Sequence, residues 1–166
     1  GNTQALTSWL NNNGGASAND ECGEITWSNN FETLSNGCGL TGSVTVVFTA
    51  TDECGNTSET TATFTIQDTI APVIETLAAD LTVNCNGSGN TEELTNWLNS
   101  FGGASATDAC GLVTWSNNFE ALTDECGLTG SATVIFTATD ECGNSSTTTA
   151  TFTIVDTTAP AIACNS

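Results

Sequence analysis

The sequence predicts an all-β protein built from two tandem β-sandwich modules, each with one short helix. Three observations predict it. First, the chain repeats itself: residues 1–74 align with 89–162 without a gap and share 54 identities, so 166 residues hold two copies of one module. Second, each copy has long Thr- and Val-rich stretches in which apolar and polar residues alternate, the period of a strand with one buried face. Third, the eight Cys include no C-x-x-C pair and there is no His, which suits disulfide-stapled modules better than zinc.

The second copy shows the elements in order. Residues 80–85 (DLTVNC) alternate as a half-buried strand does, and residues 87–90 break the pattern. Leu94, Trp97, Leu98 and Phe101 fall at i, i+3, i+4 and i+7, one face of a helix. Asn90 or Thr91 can cap it, Glu92 and Glu93 suit its positive end, and Gly102 and Gly103 stop it. Residues 113–116 form a short strand. Residues 131–139 (SATVIFTAT) form a long one with Ala132, Val134, Phe136 and Ala138 on one face. After a turn at 140–145, residues 149–155 return with Ala150, Phe152 and Ile154 on one face, closing a hairpin. Trp9 and Trp97 lie on the apolar helix faces and Trp27 and Trp115 on short strands, which reads as core rather than as a glycan-binding face.

Composition excludes much. Lys, Arg, His, Met and Tyr are absent, while Asp and Glu total 19, for a net charge of −19. Without cationic side chains the chain has nothing to meet nucleic-acid phosphates, and anionic membranes repel it. Without His, Lys or Arg, most hydrolase, Schiff-base and phosphoryl-transfer sites cannot be built, so no enzyme is expected. No apolar run is long enough to span a bilayer. Eight Cys point to an oxidising compartment, hence a secreted or cell-surface protein.

The runs ATDECGN-x-S-x-TTATFTI-x-DT-x-AP, at 50–72 and 138–160, and A-x-DLTV-x-C, at 78–85, resemble the HYR-like (hyalin-repeat-like) modules. These immunoglobulin-type modules occur in tandem in very large surface proteins of Bacteroidetes, gliding-motility and other adhesins among them. The resemblance implies an immunoglobulin-like fold and an extracellular, non-enzymatic, repeat-built protein. The same phylum O-glycosylates short Asp-Thr patterns, which implies sugar at Thr69 and Thr157. Asn56, Asn86 and Asn144 fit N-x-[ST] as weaker candidates.

The expected domains are 1–74, whose opening strand is missing, 75–162, and a tail at 163–166. Joining the tail to a second copy's start gives CNS-GNT, which mimics the run from Cys85 to Thr91. Two readings follow. In one, residues 162–164 complete the sandwich of a neighbour, and the chain polymerises head to tail with itself. In the other, the chain is a slice of one giant adhesin, acting as a spacer or as a module that binds surface polysaccharide or other cells.

A strand over 131–139 is about 30 Å long, which sets Cys126 and Cys142 at opposite poles, beyond the ~7 Å a disulfide spans. An immunoglobulin-like path then pairs Cys85–Cys126 and Cys110–Cys142, with Cys22–Cys54 by symmetry. Cys38 is left for an intermolecular bond with Cys164, or for a partner elsewhere. Asp108, Asp140, Glu141 and Asn144 share one pole, and Asp68 and Asp80 flank the module junction. The first copy offers Asp20, Asp52, Glu53 and Asn56, which would meet Asp156 of a preceding unit. Such oxygen sets suit Ca²⁺. The plainer reading is that these acids cap their own turns and keep the surface soluble.

Overall fold

The computed structural model describes residues 2–163. Its strands far outweigh its helices, and packing divides the chain into two compact units, Gly1–Thr69 and Ile70–Ser166. The first holds helix α1 (Asn2–Asn11), a 3-10 turn (Asn13–Gly15), and strands β1 (Thr26–Asn29), β2 (Gly42–Thr51) and β3 (Thr57–Ile66). The second holds β4 (Val73–Thr76), β5 (Leu81–Asn84), helix α2 (Thr91–Asn99), a 3-10 turn (Phe101–Gly103), β6 (Ser105–Thr107), β7 (Thr114–Asn117), β8 (Gly130–Thr139) and β9 (Ser145–Val155). The division falls ahead of the expected 74/75 boundary because β4 pairs with β6 and so belongs to the second unit.

In the first unit the sheet order is β1-β2-β3, all antiparallel. In the second, a four-stranded sheet runs β5-β9-β8-β7, with β5 parallel to β9, and β4 and β6 form a separate ribbon. The hairpins appear where alternation predicts them. Val134 stands opposite Ala150 and Ala132 opposite Phe152, so both strands turn their apolar residues to one face. On the other face, Thr133 and Thr151 hydroxyls meet at 3.1 Å, and Thr45 and Thr63 at 2.9 Å.

A helix covers the middle of each sheet. Trp97 packs edge-on against Phe136 at 5.2 Å and lies 5.6 Å from Phe152. Trp9 takes the same place over Phe48 and Phe64, at 5.3 and 5.4 Å. The predicted second sheet is reduced, in the second unit, to the β4–β6 ribbon. Helix and sheet approach closely through glycine. Gly14 and Gly102 sit at φ +66 and +65, and a Cβ at Gly14 would lie 2.7 Å from the Phe48 ring. Phe101, at φ +56, is held in the left-handed region by stacking on Trp115, with centroids 5.3 Å apart and planes 12° apart.

Asn90 occupies the N-cap position of α2 but does not cap it. It is buried, and its amide donates to the Asn84 carbonyl at 3.0 Å while its oxygen accepts the Asn86 N–H at 3.2 Å. The side chain ties the helix to the end of β5 instead.

The cysteines correct the expected pairing. Cys38 and Cys142 are each disulfide-bonded. Cys22, Cys54, Cys85 and Cys126 are thiols, so the Cys22–Cys54 and Cys85–Cys126 bridges are not formed. Cys110 is outside the bond that Cys142 makes. Lateral distance in the sheet separates the first of the second copy's expected pairs. Cys85 extends β5 and Cys126 precedes β8, and β9 lies between those strands, two sheet spacings or roughly 9–10 Å. At the other pole, Gly23 faces the Glu53 side chain and Gly111 the Glu141 side chain. Cys38 is disulfide-bonded. Cys164 itself lies outside the described residues.

Candidate functional site

The two units share most of their sequence, and they differ at the outer edge of the last long strand. In the second unit, β5 lies along β9 with Leu81 opposite Phe152 and Val83 opposite Ile154. Leu81 and Val83 pack onto the core, and Phe152, Ala150 and Ile154 are at most 2% exposed. The twin strand in the first unit is β3, and among the described residues only β2 pairs with it. Its Phe64, Ala62 and Ile66 are half-buried, and Trp9 is half-buried where Trp97 is 6% exposed. The faces that β5 seals in one unit are open in the other.

Polar groups tell the same story. The Trp97 indole N–H donates to the Ala79 carbonyl at 3.0 Å, and Ala79 N–H donates to the Gly102 carbonyl at 2.9 Å. Thr151 N–H donates to the Asp80 carboxylate at 2.8 Å, and Cys85 N–H to the Val155 carbonyl at 2.8 Å. The twins of these groups are Trp9, Gly14, Thr63 and Gln67, and among the described residues none has that partner. Asn2, the twin of buried Asn90, is exposed. Residues 17–19, the twins of β6, have no strand beside them where β6 has β4, and there Trp27 lines an open cleft with Ser17 and Ser58. Trp27 and Trp115 are half-buried.

The acidic residues are placed as turn formers. Asp140 accepts N–H groups of Cys142 and Asn144 at 2.8 and 2.9 Å on one oxygen and the Asn144 amide at 2.8 Å on the other. Asp52 does the same with Cys54, Asn56 and the Asn56 amide, at 2.8, 2.8 and 2.7 Å. Asp20, Asp108 and Asp156 each accept an N–H two residues on, from Cys22, Cys110 and Thr158. Asp80 instead braces β9. Glu53 and Glu141 lie against Gly23 and Gly111, and Asp68 is half-buried. The plainer, turn-capping reading is therefore the one these contacts support. Thr69 and Thr157 are exposed, and the Thr157 hydroxyl donates to the Asn84 side-chain oxygen at 3.1 Å.

The same contacts set two acidities. The Asn56 amide, joined by backbone N–H groups, holds Asp52 below the ordinary carboxylate value. Burial pushes Asp140 up, but the Asn144 amide and the surrounding N–H groups outweigh it, and its acidity also rises. A carboxylate with a lowered folded-state pKa contributes stability that is present above its unfolded value and lost as pH falls through the folded one. Thermal stability is therefore expected to hold through neutral pH and fall progressively below about pH 4. In a double Asp52→Asn, Asp140→Asn variant, part of that acid slope is expected to disappear from Tm measured against pH. An unchanged slope would show that these turns do not couple to folding.

No family model and no curated protein matches this chain. Among solved structures, it is similar to Drosophila N-cadherin EC1-4, at 12% identity with a TM-score of 0.32, over 81% of this chain and 42% of that one. The chain thus spans less than half the length of that structure. No helix among the described residues is long and apolar enough to cross a membrane.

Proposed function

We propose that this chain is a non-enzymatic structural repeat of an extracellular adhesive filament. In this reading it consists of HYR-like, immunoglobulin-type modules joined head to tail by a strand that enters beside β3. One observation carries the reading: β3 has a bare edge and a half-open apolar face, while its near-identical twin β9 is sealed by β5. Bare edges recruit strands, and a head-to-tail contact that does not close on itself propagates into a fibre. The absence of His, Lys and Arg supports a scaffold rather than a catalyst. Disulfide bonding, found at Cys38 and at Cys142, fits an oxidising, extracellular setting.

A second reading has its own observation. In the second unit the sealing strand comes from residues just upstream in the same polypeptide. A longer chain could seal the first unit in that way, making this a spacer or a glycan- or surface-binding module of one giant adhesin. The intact mass of native protein after denaturation and reduction separates the two. A species near 16.9 kDa, plus any sugar on Thr69 and Thr157, supports the filament subunit. A far heavier chain supports the giant adhesin. Ca²⁺ enters as a counter-ion to 19 carboxylates. It is expected to raise Tm at low salt, and a Tm indifferent to chelator removes it from the account.

A further inference from the structure

We infer that Cys54 and Cys126 are covalent coupling points, and that a disulfide joins Cys126 of one copy of this chain to Cys54 of a second copy. This rests on the head-to-tail reading above and gives it a covalent contact between named residues.

The two units hold equivalent cysteines in different states. Cys38 and Cys142 are disulfide-bonded. Their twins in the repeat, Cys126 and Cys54, are exposed thiols. A bridge that belonged to the fold of one module would recur with its sequence. Disulfide bonding at these positions does not recur, so it is not part of the framework that each module carries. Cys22 and its twin Cys110 both stand outside the disulfides, and Cys85 packs against the core of its own unit. Cys54 and Cys126 are therefore the thiols whose twins bond.

Local geometry does not separate the bonded cysteines from the thiols. The Cys38 carbonyl accepts the Thr41 N–H at 3.0 Å and the Thr41 hydroxyl at 2.6 Å, and the Cys38 sulfur lies 3.4 Å from that hydroxyl. Cys126 makes the same three contacts with Thr129, at 3.2, 2.7 and 3.4 Å. Cys142 donates its N–H to Asp140 at 2.8 Å, and Cys54 donates its N–H to Asp52 at 2.8 Å. Each thiol is held as its bonded twin is, on a loop fixed by its own hydrogen bonds. The bonded pair of positions contains one cysteine ahead of a long strand and one after it, and so does the pair of thiols. Joining unlike positions on two copies leaves one Cys54 and one Cys126 unused at the ends, so the bond repeats along a row of copies without closing.

The step needs an oxidant, and a small-molecule disulfide such as oxidised glutathione supplies it. The Cys126 thiolate attacks one sulfur of that disulfide and releases a thiolate. The Cys54 thiolate of the second copy attacks the Cys126 sulfur of the mixed disulfide and releases the other. One S–S bond breaks and one forms. Each protein sulfur is oxidised by one electron, and the reagent leaves as two thiols carrying the two protons that the cysteines lost.

The whole chain is oxidised with oxidised glutathione in about 0.5 M salt, which screens the repulsion between chains of charge −19, and the products are run on non-reducing gels. The unaltered chain is expected to give a ladder of dimers, trimers and higher species that reductant returns to 16.9 kDa. Cys54→Ser and Cys126→Ser, each an exposed change outside the strands, are each expected to lose the ladder. An equimolar mixture of the two variants is expected to give one dimer band and nothing above it, because the joined pair has no second coupling point. Glutamate-specific cleavage of the unaltered dimer is expected to release residues 54–59 bridged to residues 126–141, a readout that needs no variant. A ladder that survives in either variant, a mixture without dimer, or the same bridge confined to monomer overturns the inference. If the reduced chain self-associates in sedimentation but no such bridge forms on oxidation, the inference falls and the head-to-tail reading stands. If it neither associates nor crosslinks, both fall.

Discussion

Phe152→Ala is expected to destabilise the unit Ile70–Ser166 by about 4 kcal/mol, and Phe64→Ala to destabilise the unit Gly1–Thr69 by only about 1–2 kcal/mol. The two phenylalanines occupy equivalent positions in copies that share most of their residues. Phe152 is 0% exposed, lies 5.6 Å from the Trp97 ring and has Leu81 opposite it in β5. Its removal empties a closed cavity that neighbours on three sides cannot collapse into. Phe64 lies 5.4 Å from Trp9 but is half-buried, with no strand beyond it among the described residues. Truncation there forfeits less transfer free energy and leaves an opening that water fills. Urea denaturation of dilute protein, followed by residue-resolved hydrogen exchange, measures both units in one sample. Equal losses would mean that the β3 face is already sealed, and the strand-addition account would have no vacancy to fill.

Gly130→Ala is expected to cost about 3 kcal/mol, at the upper end for overpacking. A Cβ there would run into the Thr123 carbonyl oxygen, a backbone atom. Thr123 cannot give way, because its N–H donates to the Ser131 carbonyl at 2.8 Å and its hydroxyl accepts the Ser131 N–H at 2.8 Å. Gly42→Ala meets the Ser35 carbonyl in the same manner, with Ser35 N–H bound to the Ser43 carbonyl at 2.8 Å. Gly111→Ala is the control. Its Cβ would meet only the end of the Glu141 side chain, which can swing away, so its expected cost is below about 1 kcal/mol. Chemical denaturation of the three variants gives the comparison. A neutral Gly130→Ala would show that the segment before β8 is free to move.

Periodicity was enough to find the long hairpins and helix α2. The alternation through Val134, Phe136, Phe152 and Ile154 and the stripe through Leu94 and Trp97 are local patterns that one element can express by itself. The ribbon of β4 with β6 was not visible. Three- and four-residue strands carry too short a pattern, and they are strands only because they pair across residues distant in sequence. The role of Asn90 was misread for a similar reason. Its position before an acidic first turn signals a cap, but its amide answers to the end of β5. The acidic turns were legible both ways, as ligands or as caps. The D-x-C-G-N spacing lets Asp52 and Asp140 reach N–H donors of their own turns, and proximity along the chain favours those donors.

The candidate site was half legible. That residues 1–74 match 89–162, and so include no counterpart of β5, follows from the repeat alone. That Phe64, Ile66 and Trp9 are half-buried where their twins are buried follows from packing, because β5 runs parallel to β9 and joins the sheet at its far edge. Cysteine pairing shows the same divide. Strand length places each cysteine at one pole or the other, but whether two sulfurs meet depends on which strand lies between them.

By itself, the order of residues determined the duplication, the alternating strands, the amphipathic helix and the acidic surface devoid of cations, since each is written in neighbouring or evenly spaced positions. Only the tertiary structure decided the parallel placement of β5, the use of Asn90 as a tie and which cysteines bond. Those depend on distances between segments far apart in sequence, where side-chain burial and backbone hydrogen bonding across the sheet, rather than local pattern, choose the neighbour.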